Sequence, residues 1–396
     1  MGVRKVNSIY TFYGKHQSRL SYYSGGLMII DALSVIYRDG IGRRNTGSDV
    51  VDINGNPISE LYACLKIAMK CMKDHVVPIF VFDGASPESR TTSLERRQND
   101  KHKAQENLND IHKIINRNEL MENTNSNEME YLNNQMIKMY KRSFRINWKN
   151  INQTIKMLRS MGIPVVEAVN EADSQCAAIA RYYDDGRTVV LTDDFDAILY
   201  GAPKIIRLST LYSSQIEEFN VDNFISNASK MTQSQYNNPF AMNNFIECCC
   251  LMGTDYCNGL GMDFPTIFSI YCANNMSISQ VFNSLRKNNS NMIKRINNAS
   301  DQYQTTLVTD PSKISIDLKK PDIPILTQFF DTFLEKKCSE KIIQFIQINY
   351  NLYIDANTKK NNNDCFSGSY SYRYRNASQK YGLDQNMSDI KLVLAS

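Results

Sequence analysis

The sequence predicts an α/β fold built on a buried, mainly parallel sheet, and three observations carry that expectation. Four short, β-rich apolar runs each stop at a polar break: GLMIID (26–31), VPIFVFDG (77–84), GIPVVEA (162–168) and TVVLTDD (188–194). Strands covered by helices on both faces read as unbroken apolar runs of this kind. Segments with helical spacing lie between the runs, and strand alternating with helix is the pattern of such a sheet. Each run also delivers carboxylates at or just past its C-terminal end.

Taken in order, residues 1–84 hold the first two strands, with ISELYACLKIAMKCMKD as the helix before the second. Residues 85–150 form an insertion rich in charge and Asn; its stretch ELMENTNSNEMEYLNNQ has too few apolar residues for a core of its own, so helices with a flexible centre are expected. Residues 151–255 resume the alternation, with NINQTIKMLRSM before the third strand and EADSQCAAIARYYDD before the fourth. From 256 to 352 the pattern turns helical, and LTQFFDTFLEKKCSEKIIQFIQINY (326–350) reads as an amphipathic pair. Residues 353–396 are polar and low in aliphatics, a composition expected of a mobile tail.

A chain of 396 residues that is 42% hydrophobic can bury a large core. Ten cysteines and four histidines raise the question of zinc, but Cys248, Cys249 and Cys250 are consecutive and no spaced ligand pairs follow, so zinc is not expected. The start MGVRKVNSIYTFYGKHQ is too polar to span or target a membrane, which excludes membrane classes and places the thiols, reduced, inside a cell. The formal charge of +4, from 45 basic and 41 acidic residues, is too small to imply a polyanionic partner. Its distribution says more. KMYKRSFRINWK carries Lys138, Lys141, Arg142, Arg145 and Lys149 with no acid, at intervals that place all five on one face of a continuous helix.

The acids are the densest signal. Asp31 closes the first strand, Asp83 the second, Glu171 and Asp173 follow the third, and Asp194 and Asp196 follow the fourth; Asp255, in CLMGTDYCNG, follows an apolar helix and can reach the same edge. In parallel sheets that edge is where ligands bind. One acid could cap the helix FDAILYG, but a cluster of seven repels itself unless cations neutralise it, and hard oxygen ligands favour Mg²⁺ or Mn²⁺. Two such ions about 4 Å apart make a phosphoryl-transfer site. Arg90 and Arg97, in ESRTTSLERR, lie seven residues apart on one helical face and could hold the scissile phosphate. With the basic segment 138–149 they make nucleic acid the leading substrate.

At this point the chain resembles the flap endonuclease branch of the XPG-type structure-specific nucleases. The matching pieces are MGVRKV, IIDALSVIY, VPIFVFDG, MGIPVVEAVNEADSQCAA, LTDDFDAILYG and CLMGTDYC, in family order from residue 1 to about 260, with a weaker likeness to about 350. The resemblance implies a PIN-like, resolvase-like nuclease core with a helical arch insertion and a helical C-terminal region. It also implies a 5′-nuclease that removes flaps from branched DNA with two Mg²⁺, Mn²⁺ being able to substitute. Asp83, Glu171, Asp173, Asp194 and Asp196 then match the nearer ligands, and Asp31 and Asp255 match ligands acting through water. Arg90 stands where the family usually has Lys, so only its electrostatic role carries over, and Arg97 stands where the family has Arg. Tyr37 matches an aromatic residue near the DNA branch; Gly2, Arg43 and Arg44 are further expected DNA contacts, and the basic face of the insertion would guide the 5′ strand.

The chain departs from the family in two places. The helix–hairpin–helix that grips duplex phosphates through amides and K⁺ reads NGLGMDFPTIFSIY, which keeps Gly259 and Gly261 but lacks the Pro-Lys that follows, so K⁺ stays open. The tail has no Gln-x-x-aliphatic-x-x-aromatic-aromatic motif, so no sliding-clamp partner is inferred, although YSYRYR (370–375) could touch single strands. A monomer acting in replication, repair or recombination is expected, in the nucleus if the host is eukaryotic or a virus replicating there. A Holliday-junction resolvase of the same superfamily and a catalytically inactive branched-DNA-binding factor are the alternatives.

Overall fold

The computed structural model describes residues 2–14, 16–44, 49–84, 91–120, 126–286 and 289–360. The chain divides into two units that interleave in sequence: Met1–Ser34, Pro78–Thr91 and Val166–Ser315 form the first, and Val35–Val77, Thr92–Val165 and Ile316–Ser396 the second. Helices are numbered along the chain. The first unit holds α1 (Asn7–Tyr13), α7 (Ala172–Tyr182), α8 (Asp196–Leu199), α9 (Val221–Tyr236), α10 (Met242–Met252), α11 (Phe264–Ala273), α12 (Ile278–Ser284) and α13 (Ser290–Thr305). The second holds α3 (Ser59–Lys73), α4 (Thr91–Leu120), α5 (Ser126–Arg142), α6 (Trp148–Ser160), α14 (Ile323–Phe333) and α15 (Lys336–Lys360), while α2 (Ala32–Arg43) starts in the first unit and ends in the second.

The sheet belongs to the first unit. Its strands are β1 (His16–Ser18), β2 (Leu27–Asp31), β3 (Val77–Phe82), β4 (Val165–Glu167), β5 (Val189–Leu191), β6 (Lys204–Ile206) and β7 (Ile216–Asn220), in the spatial order β1-β7-β6-β5-β2-β3-β4. The four runs read from the sequence are the contiguous half β5-β2-β3-β4. Met28, Ile29 and Ile30 lie opposite Val189, Val190 and Leu191 in parallel register. All of β3 and β5 is buried, which is why these strands show no alternation.

The sequence reading missed β1, β6 and β7. β6 continues the parallel order beside β5, but β7 pairs antiparallel with β6, and β1 in turn pairs antiparallel with β7. β7 is IEEFN and β1 is HQS, neither of which contains an apolar run; pairing with a neighbour places them, not their own composition.

An aromatic cluster gathers around Phe195 of TDDFD. Phe195, Phe219, Phe224, Phe245 and Phe264 are fully buried. Phe195 stands edge-on to Phe219 at 5.0 Å and to Phe245 at 6.1 Å, and Tyr10 of α1 closes on it at 5.8 Å. Edge-to-face pairs add about 0.5–1.5 kcal/mol each beyond burial. Phe195 therefore pins the middle of TDDFD to the core, and the acids on either side of it are held in place.

In the second unit, α3 packs on α6 and α15, and α14 packs on both α6 and α15. Buried Glu60 joins the starts of α3 and α6, accepting from the Asn147 N–H at 2.7 Å and from Asn150 Nδ2 at 2.9 Å. The insertion forms α4 and α5 as expected; of the stretch ELMENTNSNEMEYLNNQ, expected to hold a flexible centre, residues 119–120 end α4, residues 126–135 belong to α5, and 121–125 lie outside the described residues.

Two expectations need correction. Lys138, Lys141, Arg142, Arg145 and Lys149 do not share one helix: α5 ends at Arg142 and α6 begins at Trp148. The interruption has local causes. Phe144 is buried against Gly40, the Ser143 hydroxyl turns back to the Tyr140 carbonyl at 2.9 Å, and Asn147 caps α6 by accepting from the Lys149 N–H. The stretch expected as a tail also begins as helix, since α15 continues through 353–360; residues 361–396, including YSYRYR, lie outside the described residues. Among the described residues no helix is long and apolar enough to cross a membrane.

Candidate metal centre and nucleic-acid contacts

The first unit gathers the predicted acids through their hydrogen bonds. Asp31, at the end of β2, accepts from the Ser34 N–H at 3.1 Å and from the Thr192 hydroxyl at 3.0 Å. The Asp194 N–H donates to that same Thr192 hydroxyl at 3.0 Å, and Asp194 Oδ1 accepts from the Asp196 N–H at 3.2 Å. Thr192 thus bridges the ends of β2 and β5. Asp83, just past β3, accepts from the Ala172 N–H at 2.6 Å, which binds the β3 end to the start of α7, where Glu171 and Asp173 sit. The segment after β4 is further tied down by Gln175, which accepts from the Thr309 N–H at 2.7 Å.

Burial and mutual charge make this an electrostatically costly place. Asp31, Glu171, Asp173 and Asp196 are all buried. Burial, with the Asp194 charge adding to it, raises the Asp31 carboxyl above its usual range, against the pull of hydrogen bonds from Ser34 and Thr192. The Cys176 thiol, one turn into α7, is pushed far up by burial and then by the charges of Asp31, Asp173 and Asp83. Asp194 Oδ1 takes the N–H of Asp196, the first residue of α8, while the N-cap Phe195 offers no side-chain hydrogen bond. One acid thus serves the helix start, and the other acids exceed what a cap needs.

Gly2 completes the centre. Its backbone has φ +80°, and a Cβ there would lie 2.2 Å from Asp194 Oδ1 and 2.4 Å from Asp196 Oδ1. Only glycine leaves that space next to two carboxylates. The segment is held by Arg4, whose N–H donates to the Gly253 carbonyl at 2.8 Å and whose guanidinium donates to Asn258 Oδ1 at 2.7 Å. Among the described residues no three His, Cys, Asp or Glu side chains form a ready-made coordination shell. The fit to a hard divalent cation rests on the donor set, all carboxylate oxygen, and on the space kept open by Gly2.

Residues 1–104 match the XPG N-terminal domain and residues 162–255 the XPG I-region; the first span contains Asp31 and Asp83 and the second Glu171, Asp173, Asp194, Asp196 and Asp255. The chain belongs to the XPG family. It is 27% identical over 261 residues to flap endonuclease 1 of Entamoeba dispar, a match covering 65% of this chain and 62% of that relative, which is less than two thirds of its length. In fold it is similar to flap endonuclease-1 from Methanococcus jannaschii (TM-score 0.61, 21% identity, 87% of this chain and 98% of that one). It is also similar to the catalytic core of Rad2 in complex with DNA substrate (TM-score 0.59, 19% identity, 87% of this chain and 100% of that one).

The other positions singled out in this XPG-family chain divide by surroundings. Gly259 has φ +58°, and a Cβ on it would lie 2.3 Å from the Gly253 nitrogen, so the turn between α10 and α11 admits only glycine there. Gly261, with φ +70°, faces open space, and Asp263 then caps α11. Asp255 sits between that turn and α10 and is half-buried.

In the second unit, Tyr37 packs edge-on against Phe144 at 5.9 Å and its hydroxyl accepts from Lys101 Nζ at 3.0 Å. Arg43 pairs with Asp39 at 3.2 Å and lies over the Tyr62 ring. Arg44 is engaged more fully, with Asp49 at 2.8 Å, the Tyr140 carbonyl at 2.7 Å, and the rings of Tyr140 and Phe144. Lys138, Arg142, Arg145 and Lys149 are exposed and Lys141 is half-buried. Arg90 lies outside the described residues; Arg97 is carried on α4.

Sequence reasoning missed Thr192, Tyr200 and Tyr256. Thr192 was written next to the acids in LTDDFD, and the hydroxyl of a residue adjacent to two carboxylates is a usable signal. Tyr200 and Tyr256 carried none, because only the folded chain brings both to Glu171.

Proposed function

We propose that this chain is a structure-specific nuclease that hydrolyses phosphodiester bonds in branched DNA, with 5′ flaps as its preferred substrate and two Mg²⁺ ions as its cofactors. The observation that carries the reading is the bridge from Asp31 through Thr192 to Asp194, with Asp83 and the Glu171–Asp173 segment joined at Ala172: acids from four strand ends held together despite their repulsion. Asp83, Glu171, Asp173, Asp194 and Asp196 would hold the ions directly, and Asp31 and Asp255 through water. When bound, such ions activate a water nucleophile and stabilise the leaving oxygen.

The chain's own residues have separate tasks. Gly2 keeps side-chain atoms away from Asp194 and Asp196. Arg90 and Arg97 place positive charge by the scissile phosphate, where stabilisation matters most in the transition state. Lys138, Lys141, Arg142, Arg145 and Lys149 contact the phosphates of the 5′ strand, Tyr37 meets a base at the branch, and the turn with Gly259 and Gly261 contacts the duplex. The likeness to the DNA-bound Rad2 core supports a DNA substrate. The testing experiment is cleavage of an end-labelled 5′-flap substrate with and without Mg²⁺. Incision near the branch that needs the ion is expected; incision in excess EDTA, or none on any branched substrate, would overturn the reading.

A further inference from the structure

Two phenols hold Glu171. The Tyr256 hydroxyl donates to Glu171 Oε2 at 2.7 Å and the Tyr200 hydroxyl to the same oxygen at 3.1 Å, and the two hydroxyls touch each other. Two hydroxyl protons serve three contacts, so two of these contacts are hydrogen bonds at any moment and Oε2 always faces the phenols. Both rings stand on Tyr303 of α13, with centroids at 5.0 and 5.2 Å.

Each phenol comes from a different acid-bearing segment. Tyr200 ends α8, and its N–H donates to the Asp196 carbonyl at 2.9 Å. Tyr256 directly follows Asp255. The pair therefore links the segments of Asp196 and Asp255 to the carboxylate of Glu171.

Resting on the metal-centre reading above, we propose that Tyr200 and Tyr256 are positioning residues. They turn Glu171 so that it presents Oε1 as a one-oxygen ligand, and they tie three acid-bearing segments into one frame. Hydrogen-bond partners of metal-ligating side chains are worth about 10–100-fold in metal affinity.

The test uses Tyr200→Phe, Tyr256→Phe and the double variant, which keep both rings against Tyr303. Mn²⁺ uptake by the DNA-free chain is followed by loss of the free-ion EPR signal, with Mg²⁺-dependent flap cleavage and thermal melting measured alongside. The double variant is expected to raise the Mn²⁺ dissociation constant about tenfold or more and to shift the Mg²⁺ midpoint for cleavage in step, with turnover largely recovered at saturating Mg²⁺. A purely structural role would lower the melting temperature and leave the Mn²⁺ constant alone; that result, or a constant within about twofold of wild type, overturns the proposal. Asp194→Ala separates the two readings. If it weakens Mn²⁺ binding while the tyrosine variants do not, the metal centre stands and the positioning role fails; if wild type takes up no Mn²⁺, both fail.

Discussion

The acidic centre of the first unit and the basic segment of the second are assembled in opposite ways. Asp31, Asp83, Glu171, Asp173, Asp194 and Asp196 are far apart in the chain, yet Thr192 bridges two of their strands and the Ala172 N–H joins two more segments. Lys138 to Lys149 are close neighbours in the chain, yet buried Phe144 and the cap at Asn147 divide them between α5, a connection and α6. A parallel sheet brings the ends of its strands to one edge whatever their separation in sequence, whereas one N-cap is enough to end a face that periodicity alone would continue. Charge placed by the sheet should therefore behave as a single unit, and charge placed along the broken helix as separate contributions.

The strongest way to break that contrast is Asp194→Ala. Turnover on a 5′ flap should fall by about a thousandfold, equivalent to about 4 kcal/mol of transition-state stabilisation, while flap binding in Ca²⁺ stays within about threefold. Rate assays and a fluorescence-anisotropy titration check this; residual turnover within about tenfold of wild type would remove Asp194 from the centre.

Gly2→Ala comes next, because it tests whether open space, as well as charge, makes the site. The new Cβ would fall 2.2 Å from Asp194 Oδ1, so the carboxylates must move. Turnover is expected to fall by about one to two orders of magnitude, with the metal midpoint raised, as expected when reacting groups are misplaced by about an ångström. An unchanged Mg²⁺ titration would show that the N-terminal segment does not shape the centre.

For the basic segment, Lys141→Glu with Arg142→Glu should weaken flap binding by about tenfold and flatten its salt dependence, each lost phosphate contact reducing the log–log slope by roughly 0.7 to 0.9. A nicked duplex with no free 5′ strand should lose less. Arg145→Glu with Lys149→Glu, beyond the helix break, should add to the first pair's loss independently, as well-separated sites do. Strong non-additivity would mean that the two pairs act as one face after all.

The smallest effect concerns stability in the second unit. Burial lowers the His75 ring from 6.5 to about 4, so its folded pKa lies below its unfolded one. The folded state then holds fewer protons, and the contribution is fully present above about pH 6.5 and lost as pH falls toward about 4. Denaturant melts should show His75→Asn, which tolerates the φ of +61° there, losing about 1 kcal/mol less than wild type between pH 7 and pH 5, once partial solvation of the ring is discounted. Equal losses would place the acid sensitivity elsewhere.

Much of the fold was legible because burial leaves a mark on composition. The runs that became β2, β3 and β5 are apolar on both faces, the run of β4 ends on exposed Glu167, and Ser59–Lys73 and Ala172–Tyr182 carried helical patterns of their own. β1 and β7 left no such mark, since HQS and IEEFN become strands only through a partner's free edge. All the acids but Asp255, which follows α10, were legible as a set because each lies at or after the end of a strand, and parallel strands share an edge.

By itself the sequence determined which residues are chemically able to act: the carboxylates, the arginines, and the glycines that admit φ values closed to other residues. Only the tertiary structure decided which of them meet. Thr192 between Asp31 and Asp194, Gly2 against Asp194 and Asp196, and two phenols on Glu171 are contacts across long stretches of chain. Such contacts depend on strand register and on the buried anchor of Phe195, and neither local propensity nor periodicity encodes distances between segments that far apart.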